Sequence, residues 1–263
     1  MTNAMHGACH LANVRLHIGC AGWALPKEAR AAFLPEGSHL ERYASRLNAV
    51  EINSSFYRPH KPATYARWAA SVPLDFRFSV KLPKAITHER RLVDCQDLLD
   101  TFLAEAGQLG DKLGCLLVQL PPSLAFQADR ADAFFTLLRE RHAGHAVIEP
   151  RHTSWFGADG SALLARHRVG LVLADPAPCT GVAWALAHEG DVSAQIAYYR
   201  LHGSPHIYHD TYGQACLKAL SHRMREEAQH VESVWCVFDN TALGAATFNA
   251  LDLVDLLKQA TLP

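Results

Sequence analysis

Short apolar, β-branched runs recur along this chain at eight places: residues 15–20, 49–52, 76–80, 115–118, 145–148, 169–174, 196–199 and 233–238. Segments with apolar residues at helical spacing alternate with them, over 39–47, 65–70, 98–109, 131–141, 162–166, 213–229 and 245–258. Within 39–47 the apolar positions are Leu40, Tyr43, Ala44 and Leu47, and in the last segment Leu251, Val254 and Leu257 share one face. Gly110 is placed to cap the 98–109 helix, and Pro121-Pro122 must stop the fourth strand near Gln119. Residues 177–191 show little periodicity, so the sixth crossover is not defined. Strand and helix taking turns eight times predicts an α/β fold, a single (β/α)8 TIM barrel over 15–263, with 1–14 as a disordered or loosely packed tail.

The 263 residues suffice for one such barrel without a linker, and 49% hydrophobic against 19% charged residues supports a substantial core. A formal net charge of -1 lacks the overall basic field that sequence-independent nucleic-acid binding uses. Seven scattered cysteines (Cys9, Cys20, Cys95, Cys115, Cys179, Cys216, Cys236) form no CxxC pair, which reads as reduced thiols in a cytoplasmic protein. The first fifteen residues lack a signal-peptide core, and no apolar run is long enough to span a membrane. Oligomeric state is not legible.

In a barrel of this kind the functional groups sit at the C-terminal strand ends. Those ends carry Trp23, Glu51 and Asn53, Lys81, Gln119, Glu149 and Arg151, Asp175, Arg200 and His202, and Asp239 and Asn240. Glu149 and Arg151 stand two apart, as do Arg200 and His202, so each pair faces one way in extended backbone. Glu149 and Arg151 are expected to pair with each other or with Arg200 and Asp175 as the pocket floor. The loop after the third strand, PKAITHERRL, concentrates Lys84, Thr87, His88, Glu89, Arg90 and Arg91; such a run is a solvated surface unless its place after a barrel strand gives it a role. Phe56, Tyr57 and Trp155 add aromatics near the rim, with loop packing as the plainer reading for the first two.

The segments IGCAGW, VEINSSFYR, FRFSVKLPKAITHERRL, KLGCLLVQLPPS, VIEPRHTSW, YYRLHG and FDNTALGAATFNA, in this order from about Ile18 to Ala250, resemble the signature segments of domain of unknown function 72, the YecE-like proteins. The resemblance implies a TIM barrel and assigns no activity. Asn240 and Asn249 match the family pattern, while Asp239 stands where an asparagine is usual.

Three functional readings follow. In the first, the chain is an enzyme or binder for a small anionic ligand, phosphorylated or carboxylated. Lys81, Arg151 and Arg200 would supply positive charge, and His88, Glu149, His202 and Asp175 acid–base chemistry. Trp23, Asn53, Tyr57, Gln119, Trp155 and Asn240 would complete the ligand contacts. In the second, Glu149, Asp175 and His202 from consecutive strands hold Zn or Mn for a hydrolase or isomerase, although no local metal motif such as HExxH is present and Arg151 and Arg200 compete for the carboxylates. In the third, less favoured by the charge, the aromatics stack on nucleic-acid bases beside the ITHERRL loop. No metal and no nucleotide cofactor is expected, since neither GxGxxG nor GxxxxGK[ST] occurs. Glycosidase chemistry is disfavoured because Glu51 and Glu149 would lie on far sides of the rim. A Schiff base on Lys81 requires a desolvated lysine, and nothing in the sequence shows one.

Overall fold

The computed structural model describes residues 10–11, 14–177 and 195–259. Eight parallel strands form the barrel: β1 Val14–Cys20, β2 Ala49–Ile52, β3 Arg77–Lys81, β4 Leu113–Gln119, β5 Ala146–Glu149, β6 Gly170–Asp175, β7 Ile196–Leu201 and β8 Ser233–Phe238. Seven described α-helices lie between and after them: α1 His39–Ala44, α2 Pro62–Ala70, α3 Gln96–Ala106, α4 Ala128–Arg141, α5 Ala158–Arg166, α6 Gln214–Glu227 and α7 Ala245–Gln259. α3 stops short of the expected glycine cap and runs on as the 3-10 turn Gly107–Lys112. The weakly periodic sixth crossover falls mostly on 178–194, outside the described residues. Of the expected tail, His10–Leu11 pairs antiparallel with the start of β1.

Strand pleating sorts the core into two parts. Alternate strand residues Ala49, Cys115, Leu117, Val147, Val172, Ala174, Tyr198, Trp235 and Val237 fill the barrel interior as their own cluster. Their neighbours in sequence face the helices in a larger outer cluster. Trp235 and Tyr198 stack at 5.8 Å and 13° inside, and Gly114 leaves room for the Trp235 ring, since a Cβ there would lie 2.6 Å from it.

The ring closes unusually between β1 and β2. Their one backbone bridge joins Ala21 to Glu51, beside Gly22 N–H donating to the Glu51 carbonyl at 2.9 Å. Elsewhere along the seam, side chains replace the ladder. Tyr43 Oη accepts from Cys20 N–H at 2.8 Å and donates to the Ala49 carbonyl at 2.9 Å. Asn48 Oδ1 accepts from Ile18 N–H at 2.9 Å and its amide donates to the Leu16 carbonyl at 2.7 Å. Gly19 faces this seam; a Cβ on it would stand 2.0 Å from the Ala49 oxygen.

Tyr43→Phe strands a buried donor and acceptor, so it should lower unfolding free energy by about 1–3 kcal/mol in urea denaturation. Gly19→Ala should cost at least as much, because backbone must move. A neutral Tyr43→Phe would show that water or backbone rearrangement closes the seam instead.

Candidate functional site

Parity decides which strand-end groups enter the barrel. Tyr198, Arg200 and His202 alternate inward from β7. Glu51 follows Ala49, Lys81 follows Ser79, Gln119 follows Leu117, Glu149 follows Val147, and Asp239 follows Val237 on the same inward side. Asp175 has the opposite parity from the interior residues Val172 and Ala174, and it accepts from Tyr212 Oη at 2.7 Å rather than joining Arg200. The expected pairing of Asp175 in the pocket floor is therefore corrected by the pleat.

Arg200 is the hub. Its guanidinium, 1% exposed, meets Glu51 Oε1 at 2.7 Å and Oε2 at 3.0 Å, Glu149 Oε2 at 3.1 Å and Asp239 Oδ2 at 3.1 Å. Glu51 also accepts from Tyr198 Oη at 3.1 Å, and that hydroxyl lies 2.9 Å from Ser79 Oγ. Glu51 and Glu149 thus bind one guanidinium, which corrects their expected placement on far sides of the rim: the Arg200 side chain reaches across the barrel between them. Glu149 Oε1 takes a second arginine, Arg151, at 2.5 Å, so the expected Glu149–Arg151 and Glu149–Arg200 pairs are both present.

His202 lies between carboxylates. Nδ1 is 3.0 Å from Asp239 Oδ2, while Nε2 is 2.9 Å from Glu149 Oε1 and 2.8 Å from Arg151 Nη2. With Nδ1–H given to Asp239, Nε2 has both a donor and an acceptor in reach, so one proton shift changes its partner. Tyr208 stands edge-on to this imidazole at 5.9 Å. Burial pushes Glu149 and Asp239 up, but Arg200 and the His202 hydrogen bond outweigh it, and both carboxyls are held below their usual range.

Lys81 differs from these groups. The residue is 5% exposed, its Nζ lies 4.1 Å from the Phe56 ring centroid, and the ammonium makes no hydrogen bond or ion pair among the described residues. Burial pushes it down to about 8, with Arg200 adding to the effect against the opposing pull of Glu51, Glu149 and Asp239. The turn Ser54–Phe56 positions the ring: Ser55 Oγ sits 2.9 Å from the Ile52 carbonyl and 2.7 Å from that of Lys81.

The charged loop after β3 forms a single π-helical turn, Ala85–Glu89, that buries Ile86 and Thr87. His88 packs edge-on to Phe56 at 4.9 Å and its Nδ1 is 2.9 Å from Thr87 Oγ1; burial, then Lys81 and Arg91, hold this imidazole below its ordinary value. Arg91 and Leu92, with φ of 52° and 69°, occupy the left-handed region that non-glycine residues seldom adopt. Arg91 is tied to Ser123 Oγ at 2.9 Å and its carbonyl at 2.7 Å, and Lys84 pairs with Glu89 on the surface.

The remaining candidates divide. Gln119 is half-buried at the rim in register with Glu149, and Asn53 keeps a buried Oδ1 without a partner. Trp23 packs on Trp68 at 5.0 Å, and Tyr57 is exposed beside Phe56. Trp155 is buried with its indole N–H given to the Leu124 carbonyl at 2.9 Å, and Asn240 donates to the Asp210 carbonyl and to Asn249, both at 2.9 Å; these two tie loops together outside the Arg200 cluster. Glu51 and Asp239, members of the cluster, are placed at strand ends by the sequence but given no catalytic or ligand-binding role there, although their in-phase position after Ala49 and Val237 is the signal that finds one. Among the described residues no group of three or more His, Cys, Asp and Glu side chains is arranged to hold a metal ion. A cavity of about 240 Å³ lies at the opposite, N-terminal face among Arg139, His145, Arg168 and Glu232, away from these groups.

Arg200→Leu leaves three carboxylates without their shared counter-ion and should cost about 3–5 kcal/mol at neutral pH. The parent's depressed carboxyls stabilise it fully above their unfolded range near pH 4, a contribution lost as pH falls through the folded values. The variant should instead gain stability on acidification from about pH 7 to 5, as its uncompensated carboxyls take protons; urea titrations with slopes of the same sign would contradict this. For Lys81 the sign is reversed, because its folded value of about 8 lies below the unfolded 10.5. Its cost is present below about pH 8 and relieved as pH rises toward 10.5, so Lys81→Met should be more stable than the parent at neutral pH, with the gap closing in alkali.

Comparison with known proteins agrees with the architecture. A family model described as protein of unknown function DUF72 matches residues 17–263. The chain is 36% identical over 106 residues to UPF0759 protein YecE of Escherichia coli strain K12, a match covering 40% of this chain and 38% of that protein's length. UPF0759 protein YunF of Bacillus subtilis strain 168 is 22% identical over 92% of this chain and 94% of its own. The crystal structure of a DUF72 family protein from Thermotoga maritima superposes with a TM-score of 0.76 at 22% identity, covering 92% of this chain and 99% of that one. A barrel of eight parallel strands, matched along nearly all its length by the family model, belongs to the DUF72 family.

Proposed function

We propose that the C-terminal strand ends form a site, catalytic or ligand-binding, for a small anionic ligand, phosphorylated or carboxylated. The observation that carries this reading is Lys81: a buried ammonium with no ion pair or hydrogen bond of its own among the described residues, beside three carboxylates that are engaged by Arg200 and Arg151. A desolvated cation gains most from an anion that enters with it. The arginine contribution is narrower than the sequence suggests. Arg200 is enclosed by its three carboxylates, so Lys81 and Arg151, whose buried Nε has no partner, are the cations left for the ligand, with His88 near Lys81 for proton transfer. Glu149, His202 and Asp239 set the position of Arg151 and offer a movable proton.

The metal reading has less support: Glu149 and His202 engage arginine, and Asp175 engages Tyr212. The nucleic-acid reading leans on Tyr57, exposed next to Phe56, while Trp23 packs against Trp68 and Trp155 is buried. Free thiols at Cys20, Cys95, Cys115, Cys216 and Cys236 support a cytoplasmic setting, and among the described residues no helix is long and apolar enough to cross a membrane.

Phosphate, sulfate and malonate should raise the melting temperature of the parent, by up to about 2.7 kcal/mol of stabilisation at a hundredfold excess over Kd, and should fail to do so for Lys81→Met. A rise with Zn or Mn that chelator reverses, together with equal anion effects on parent and variant, would replace this reading with the metal one.

A further inference from the structure

We propose that Lys81 is an imine-forming nucleophile, and that the ligand of the cleft is a small anionic compound carrying an aldehyde or ketone. This rests on the anionic-ligand reading and adds the chemical class of the reacting group. An amine attacks a carbonyl only as the free base, and a lysine reaches that form near neutral pH where burial and a neighbouring cation disfavour the ammonium. The structure supplies both. Lys81 is 5% exposed, a burial that the attraction of the Phe56 face for an ammonium only partly offsets, and Arg200 contributes a fixed positive charge that its three carboxylates retain inside the barrel. Those carboxylates would otherwise be the natural partners of Lys81; because Arg200 holds them, the amine is left without an ion pair.

The step balances without an oxidant or reductant. The Nζ lone pair forms a C–N bond as the carbonyl π pair moves to oxygen, and one amine proton passes to that oxygen, giving a carbinolamine. The remaining nitrogen proton is carried to the hydroxyl as the C–O bond breaks and the nitrogen lone pair forms the new π bond, so that water departs and a neutral C=N is left. His88 is the proton carrier that the geometry offers. Its ring meets the same Phe56 ring as Nζ, and burial with Lys81 and Arg91 favours its neutral, accepting form. The anionic group of the substrate then falls to Arg151.

The test is reductive trapping on the full chain. Parent, Lys81→Arg and Lys81→Met are incubated with glyoxylate or glycolaldehyde phosphate and cyanoborohydride, and labelled lysines are located by peptide mass spectrometry. Lys81 should be labelled at least about tenfold faster than exposed Lys84, as its higher free-base fraction requires. The rate should rise through a midpoint near pH 8. Both variants should lose that label while keeping the parent's circular dichroism, and exposed Lys84 should be labelled in them at the parent's rate. Labelling of Lys81 no faster than Lys84, with phosphate still stabilising the parent, overturns the nucleophile and leaves the anionic-ligand reading standing. Absence of both effects removes both, and fast labelling without any anion effect supports the amine while refuting an anionic ligand.

Discussion

The site is organised around one desolvated guanidinium. A lone cation at the Arg200 position would be prohibitively costly inside a barrel, and so would three carboxylates; together they satisfy one another. Because Glu51, Glu149 and Asp239 come from β2, β5 and β8, the single side chain on β7 joins four strands across the lumen. The interaction fixes where each carboxylate points, and through Glu149 and Asp239 it also fixes His202 and Arg151. What lies above the cluster inherits that geometry.

Much of this was legible from apolar patterning. The strand runs at 49–52 and 233–238 coincide with β2 and β8, and the other six agree to within two residues at either end, because buried strands are marked by hydrophobic continuity. The pairs Glu149 with Arg151 and Arg200 with His202 were readable from period two. The same rule, carried through β6, would have set Asp175 apart, since Val172 and Ala174 already occupy the inward phase. What patterning does not encode is side-chain reach. Strands two and five are distant in the ring, and only the length of an arginine brings Glu51 and Glu149 to one group. The burial of Trp155 and the bridging role of Asn240 likewise depend on loop contacts distant in sequence.

Lys81 shows how an accounting of charge becomes a chemical statement. Counting cations at the rim suggests a triple anchor for an anion, yet two of the three are occupied by carboxylates of the same chain. The remaining amine is defined less by what it touches than by what its neighbours have already claimed. The π-helical turn and the left-handed Arg91 and Leu92 that follow hold His88 close by, at a conformational cost that tethering of Arg91 to Ser123 helps to offset.

The seam between β1 and β2 has a consequence of another kind. Six of the contacts between neighbouring barrel strands run as backbone ladders from β2 round to β8, with a register shift between β3 and β4 at Phe78/Ser79, and β8 continues to β1 in the same way. A ladder of that sort is indifferent to side-chain identity, so it survives drift in sequence. Here the last gap is spanned by a phenol and a carboxamide, Tyr43 and Asn48, neither of which lies in a strand. Apart from the backbone contacts of Ala21 and Gly22 with Glu51, closure of the circle is therefore a heritable trait of two codons, and a lineage could loosen or reshape its barrel at this joint before any other.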